Sequence, residues 1–355
     1  MPSRSNRPAQ VQVLAPYRTD GTSEEYGSPE YRAEVAGWFE ALGLDAVWRP
    51  VHLDNVARTI GELSAPAGAS IAFNLCDGIE TDGFPGLSVV RMLEARGVAF
   101  TGADSAFYAT SSSKLEMKRC FARAGVPCPP ASPLAEVHTE PDIDALAAVI
   151  GFPCILKLDR GSNGLGLSRA SVASNRLELQ QQLHRLRQSG DAGSEHIRTY
   201  GLFAERYIPG REFTVLVVDD AASPSGLHVY PAVEIQYHPG TPAAERLLFR
   251  GHRDAPASYG PAGPHCVYAA APQAVQEPVT ALAYQAYRAA GGNGYARVDI
   301  RMDASGGALL VLEVNANCGL SVHEPTIMLG VDATGSSFPD LIAEILRAGW
   351  SRGAP

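Results

Sequence analysis

The stretch YARVDIRMDASGGALLVLEVNANCGLS, residues 295–321, decides the fold. Two apolar runs flank the turn ASGG, the pattern of a β-hairpin. Successive strand side chains point to opposite faces. With Asp303 opposite Leu309, Asp299 faces Glu313 and Arg297 faces Asn315. Val298 and Ile300 then share one face, as do Leu310, Leu312 and Val314. The other face carries Arg297, Asp299, Arg301, Glu313 and Asn315, and the polar alternation runs on to Asn317 and Gly319. Neighbouring carboxylates raise each other's pKa, a cost that a hard cation removes. Aspartate, glutamate and a carboxamide oxygen suit Mg²⁺, which shares its coordination with substrate phosphates. A solvated hairpin face is the simpler alternative, and the arginines on the same face favour a charged site.

A second stretch, CILKLDRGSNGLGLS, sets Lys157 in an apolar strand just ahead of Gly161, Ser162, Asn163, Gly164 and Gly166. Glycines let a backbone close over a polyphosphate with its N–H groups aimed inward. No Gly-Lys-Ser/Thr follows, so this is not a Walker A loop. A flexible hairpin would look similar, and the lysine in the preceding strand favours a nucleotide.

Lysine is scarce throughout. Of 29 basic residues, 26 are arginine, and the lysines are Lys114, Lys118 and Lys157 alone. An ammonium is a compact point charge and a guanidinium a planar fork, so each lysine poses a functional question. The chain has 355 residues and a net charge of -9, which argues against nucleic-acid and anionic-membrane partners. No apolar run reaches the roughly 18 residues of a membrane span. The opening MPSRSNRPAQVQVLAPY is a poor signal peptide. Cys76, Cys120, Cys128, Cys154, Cys266 and Cys318 have no zinc spacing and read as reduced thiols, which predicts a cytoplasmic protein.

Along the chain, strand and helix patterns alternate to about residue 110, implying a mostly parallel α/β sheet. SSSKLEMKRCFARAGVPCPP opens a new unit: Ser113 and Glu116 have capping-box spacing, Leu115, Cys120 and Phe121 form an inward stripe, and Gly125 ends the helix. GLFAERYIPGREFTVLVV is a strand pair broken at Pro209–Gly210, and residues 238–266 form a long polar loop with the length of a lid.

These residues carry a resemblance. The chain resembles ATP-grasp enzymes and, within them, D-alanine–D-alanine ligases. GTSEE, FNLCDG, SSSKLEMKRCFARAGVPCPP, CILKLDRGSNGLGLS, FAERYIPGREFTV, ARVDIRMD and LEVNANCGLS occur in that family's order. The resemblance implies three units: an N-terminal parallel-sheet domain at 1–110, a central α+β subdomain with a glycine-rich flap at 111–203, and a C-terminal α+β subdomain at 204–355. It implies that Lys114 and Lys157 hold ATP phosphates, with Gly161, Ser162, Asn163 and Gly164 in the flap. Glu205 and Ile208 would flank the adenine, with the backbone of Arg206, Tyr207 and Ile208 reading its edge, and Glu212 would hold the ribose. Asp299, Glu313 and Asn315 would bind Mg²⁺, two ions on the family's pattern, with Mn²⁺ as a substitute. Arg297 and the Gly319 N–H would stabilise an oxyanion, and Glu25 would meet the amino group of the first amino acid. Lys118 receives no role and reads as helix surface. A homodimer is expected by analogy.

The match fails on the acceptor side. The proline that the family places before the oxyanion glycine is Cys318 here, and its serine for the acceptor carboxylate falls at Glu324. A carboxylate there would repel an amino-acid carboxylate. The lid lacks the family's tyrosine and lysine, and Arg246, Arg250, His252 and Arg253 offer themselves to an acidic substrate instead. The expected function is therefore an ATP- and Mg²⁺-dependent carboxylate–amine ligase. It would act through an acyl phosphate on an amino acid or related small molecule, with an acceptor of specialised metabolism. Genuine D-alanine–D-alanine ligase of cell-wall synthesis is the alternative, and an ATP-binding protein without turnover a second one.

Overall fold

The computed structural model describes residues 10–23, 26–63, 70–134, 140–161, 167, 171–188, 197–248, 265–305 and 307–353. Strands β1 (Gln10–Pro16), β2 (Asp45–Val51) and β3 (Ser70–Asn74) form a parallel sheet in the order β2-β1-β3. β1 is apolar at most positions because it is central and covered on both faces. Helix α1 (Pro29–Ala41) begins where Ser28 accepts a hydrogen bond from the Tyr31 N–H, with Pro29 pre-set for the first turn. Helices α2 (Val56–Glu62), α3 (Leu87–Ala95) and α4 (Ser105–Ser111) complete this part.

Helix α5 (Lys114–Ala124) leads into an antiparallel sheet of β4 (Ala131–Pro133), β5 (Cys154–Leu158), β6 (Val172–Ala173) and β7 (Leu202–Arg206), in the order β4-β7-β5-β6. Helices α6 (Glu140–Ile150) and α7 (Arg176–Gln188) cover one face, where Leu146, Ile150, Leu179 and Leu183 pack on Cys154, Leu156, Leu158 and Ala204. Ile155 pairs with Glu205 and Lys157 with Phe203, so alternation turns Lys157 and Glu205 to the opposite face together.

The third sheet is antiparallel: β8 (Gly210–Asp219), β9 (Leu227–Val229), β10 (Val233–Tyr237), β11 (Cys266–Ala270), β12 (Tyr295–Asp303) and β13 (Leu309–Ala316), in the order β11-β10-β8-β12-β13 with β9 on β8. Phe213, Val215 and Val217 of β8 join Val298, Ile300, Val311 and Val314 in one core against α5 and α8 (Gln273–Ala289). Burying each such side chain stabilises by about 1.5–3 kcal/mol. On the other face of β8, Leu216 and Val218 pack with Val11, Val13 and Phe73 of the first sheet and with α9 (Pro325–Ala333) and α10 (Phe338–Gly353). Glu212 and Thr214 lie on that same face. One side of the strand thus passes from packed core to polar site within two residues.

Two expectations about α5 are corrected. Only half the capping box forms. The Glu116 N–H donates to Ser113 Oγ at 3.2 Å, but the Glu116 side chain pairs with Arg119 and Arg123. Asp159, at the end of β5, takes its place, accepting from the Leu115 N–H at 2.8 Å and from Ser113 Oγ. The inward stripe is Met117, Lys118 and Phe121, with Leu115 and Cys120 only half-buried. Gly125 does end the helix, at φ 69. Helices α9 and α10 lie in a part of the chain that the sequence reading left unassigned.

The hairpin register holds where the charges lie and slips towards the turn. Asp299 pairs with Glu313 and Arg297 with Asn315, but Ile300 pairs with Val311 and Met302, not Asp303, with Leu309. The β-bulge beside Asp299 leaves Leu312 as the extra residue. Val311 and Val314 enter the core, and Leu312 lines the cleft described below instead of sharing a face with Val314. No described helix is long and apolar enough to cross a membrane.

Candidate active site

The charged faces of the second and third sheets meet across a cleft of about 1000 Å³. It is lined by Lys114, Lys157, Gly161, Glu205, Arg206, Tyr207, Ile208, Glu212, Arg297, Asp299, Glu313, Asn315 and Gly319, which is every expected site residue among those described. Pro16, Tyr26 and Asp77 from the N-terminal part line it too. Glu25, Ser162, Asn163 and Gly164 lie outside the described residues, as do Arg250, His252 and Arg253 of the polar loop.

At the hairpin, Asn315 Nδ2 donates to Asp299 Oδ2 at 2.9 Å and to Glu313 Oε1 at 3.2 Å. Arg297 grips Asp299 with two hydrogen bonds of 3.0 Å, and Thr214 Oγ1 donates to Asp299 Oδ1 at 2.8 Å. Arg297 is thus the ion-pair partner of Asp299, not of Glu313. Lys114 Nζ lies 3.5 Å from Glu313 Oε2 and donates to Gly161 O at 2.6 Å. The two carboxylates part company in acidity. Burial pushes both up, but Lys114 and Lys157 bring Glu313 well below the ordinary carboxylate range. Asp299 stays above it, with Glu313 acting against the pull of Arg297.

The donor set fits a magnesium ion. All its groups are hard oxygens once the Asn315 amide turns its oxygen inward, a half-turn that leaves the side chain's shape unchanged. Among the described residues no cluster of three or more His, Cys, Asp or Glu forms a closed metal cage. Two carboxylates with open neighbours are the arrangement for an ion that keeps waters and shares phosphate oxygens.

Across the cleft, Glu205 is 2% exposed and sits between two ammoniums, with Lys157 Nζ at 2.8 Å from Oε1 and Lys118 Nζ on Oε2. Burial pushes the Glu205 carboxyl up, and the two lysines outweigh it and hold it below its ordinary value. Lys118 is buried, contrary to its reading as helix surface. The Arg206 N–H donates to Pro130 O at 2.9 Å and the Tyr207 N–H to Pro153 O at 2.8 Å, so two of the three amides expected to read a base edge are committed.

Glu212 belongs to a further network. Its Oε2 accepts from Arg301 Nε at 3.1 Å and from Tyr237 Oη at 2.6 Å. Arg301 also donates to Ile208 O at 2.9 Å and to Arg246 O, and its guanidinium lies 5.0 Å from the Tyr207 ring centre. Tyr207 Oη donates to Ala243 O and Arg246 O at 2.6 and 2.9 Å. Arg301 and Tyr207 thereby latch the described start of the polar loop onto the cleft. Alternation put Arg301 on the charged face, but nothing local in the sequence pointed to its partners.

Beyond the hairpin, Glu324 caps α9: its Oε1 accepts from the Thr326 N–H at 3.3 Å and Thr326 Oγ1 at 2.6 Å. It lines the cleft beside Cys318, whose thiol burial pushes up to about 12. Asn317, at φ 51, accepts from the Ala103 N–H at 2.7 Å and ties this loop to the N-terminal part.

Comparison with known proteins places this geometry. Residues 120–347 match the family model described as "D-ala D-ala ligase C-terminus". A D-alanine–D-alanine ligase of Desulforudis audaxviator is 29% identical over 326 residues, covering 90% of this chain and 92% of its own length. Its counterpart in Xanthomonas axonopodis is 28% identical, covering 93% of this chain and 94% of its own. The fold is shared with the D-alanine–D-alanine ligase of Bacillus anthracis at a TM-score of 0.65 and 19% identity, over 97% of this chain and 98% of that one. The same enzyme complexed with ATP gives a TM-score of 0.64 at 18% identity over the same shares. The chain belongs to the D-alanine–D-alanine ligase family, whose members are carbon–nitrogen ligases of ATP-grasp fold that consume ATP.

Proposed function

We propose that this chain is an ATP- and Mg²⁺-dependent ligase that joins two molecules of D-alanine, the reaction for which its relatives are named. The carrying observation is the single cleft in which Lys114, Lys157 and the 299/313/315 trio face one another. This support favours D-alanine–D-alanine ligase over the specialised acceptor expected from the sequence.

The chemistry assigns the roles. A carboxylate is a poor electrophile, so the γ-phosphoryl group is first transferred to it, giving an acyl phosphate. The amine, freed of the proton of its ammonium form, attacks the acyl carbon and a tetrahedral oxyanion forms. Phosphate leaves with the electron pair of the C–O bond, and the nitrogen loses a second proton to give the amide. Lys114 and Lys157 balance the polyphosphate, and Asp299, Glu313 and Asn315 hold the magnesium, which supplies charge neutralisation when bound. Glu205, the Ile208 backbone and Glu212 seat the nucleoside, and Gly161, with Ser162, Asn163 and Gly164 after it, is assigned to phosphate binding. Arg297 and the Gly319 N–H face the oxyanion. Glu25 orients the first amine, and the polar loop at 238–266 keeps water from the acyl phosphate. In this reading the nucleotide lies between units 111–203 and 204–355, and the protein works as a homodimer in the cytoplasm.

The test is ADP release with D-alanine alone and with a panel of other amino acids and amines. D-Alanine-dependent ADP and dipeptide support the proposal. Release of ADP with a different amine only, or none with any substrate, refutes it. One observation favours a second reading, in which the acceptor is not D-alanine: Glu324 puts a carboxylate in the cleft where the family places a serine. Under that reading Glu324→Ser raises kcat/KM for D-alanine as acceptor. Under the first reading it does not.

A further inference from the structure

The second ammonium on Glu205 has a use of its own, an inference that rests on reading the cleft as an ATP site. A buried carboxylate needs a partner, and one lysine satisfies its charge. Glu205 has two, and they are not equivalent. Lys157 rises from β5 into the cleft and is also drawn towards Glu313 across it. Lys118 comes from behind, on the buried face of α5, and is not part of the cleft wall. Its Nζ is held by Glu205 Oε2 and, more loosely, by Pro129 O at 3.4 Å, so it has nowhere else to go.

A triphosphate entering the cleft competes for Lys157. If Lys157 were the sole partner of Glu205, its departure would strand a buried anion, and the phosphate contact would be offset by that loss. With Lys118 fixed on Oε2, the carboxylate stays compensated and its other oxygen is exposed to the cleft. That oxygen is an acceptor and not a donor. It lies three residues before Ile208, whose N–H points to no partner among the described residues. An acceptor and an N–H donor lining the same cleft match the 6-amino group and the N1 lone pair of adenine, and mismatch the 6-oxo group and N1–H of hypoxanthine.

We propose that Lys118 is a positioning residue for purine selection: it pins the Glu205 carboxylate so that Lys157 can move to the phosphates and leave Glu205 Oε1 to accept from the adenine amino group.

The test measures binding of ATP and of ITP to the full chain by calorimetry, with Mg²⁺ and without amino acid. The unaltered protein prefers ATP by about tenfold or more, since a site built around a hydrogen bond rejects the ligand that cannot make it. In Lys118→Met, Lys157 stays on Glu205. ATP then binds about tenfold more weakly and the preference over ITP falls to roughly threefold or less, on the same argument. Lys118→Arg, which keeps the charge, retains most of the preference. A structural role alone would weaken both nucleotides equally, and an unchanged ATP-to-ITP ratio in Lys118→Met overturns the proposal. If the methionine variant does not fold, Lys118→Gln is held to the same outcomes, and equal affinity of the unaltered chain for both nucleotides is fatal by itself. Absence of ATP binding altogether would sink the ATP-ligase reading instead. ATP binding with an unaltered ratio sinks only the role of Lys118.

Discussion

At the scale of single residues, the charged face of the hairpin and Lys157 across the cleft were legible, and Lys118 behind Glu205 was not. Asp299, Glu313, Asn315 and Arg297 follow from strand alternation plus one pairing, both readable from a contiguous stretch. Lys118 could not be placed because its partner, Glu205, is remote in sequence, and a lysine on a short helix normally faces water. Glu324 stood out as a departure, yet its role as the cap of α9 depends on where that helix starts. Arg297 gives the sharpest test at this scale. Its guanidinium is held by Asp299 in a planar, two-point grip, which fixes its orientation before any oxyanion forms. Arg297→Ala should lower kcat by about 100- to 1000-fold, the range for losing one preorganised donor. The KM for Mg-ATP should rise as well, because Asp299 loses its buried partner. Steady-state kinetics on a folded variant checks this, and a loss below tenfold would remove Arg297 from the oxyanion site.

Among the elements, local pattern located most of the strands, though not β4 or β11, and tertiary contacts set their details. The bulge at Leu312 is the clearest case: periodicity gives a continuous ladder, and only the demand that both Val311 and Val314 reach the core breaks it. The α5 stripe was misjudged for a related reason, since the helix packs Met117 and Phe121 into the C-terminal core and not towards its own sheet. Two tests belong here. Gly210 opens β8 where a Cβ would stand 2.0 Å from Met302 O, so Gly210→Ala must push β8 and β12 apart. The expected loss is about 1–3 kcal/mol, seen as a lower Tm. The second concerns the tie between β9 and α10, where Glu344 accepts from Tyr230 Oη and bonds His228 Nδ1 at 2.6 and 2.9 Å. The hydrogen bond that His228 donates to Glu344, working against partial burial, holds the imidazolium above its ordinary value of 6.5. Its folded pKa being raised, the stabilisation is complete below the unfolded value and fades as pH rises through the folded one. The Tm difference between the unaltered protein and His228→Gln should therefore be largest near about pH 5.5 and shrink towards about pH 8.5. A difference independent of pH would show that the histidine is not charged in this tie.

For the whole molecule, the parallel first sheet was readable from alternating strand and helix patterns, while the expectation of two further units came from the family resemblance. The cleft between them was not readable, since no local pattern encodes how two finished faces meet. A ligand that touches both faces should hold them together. Mg²⁺ with ATP is expected to raise Tm, by an amount equivalent to about 2.7 kcal/mol at a hundredfold excess over Kd. Glu313→Gln should abolish the part that depends on magnesium, as scanning with and without chelator would reveal. The confinement of all three lysines to α5 and β5, two lining the cleft and Lys118 behind its wall, has a practical consequence. A protease that cuts only after lysine has no target elsewhere in the chain. Its cleavage rate gauges how often helix α5 or strand β5 opens, read on a gel without label, substrate or mutation.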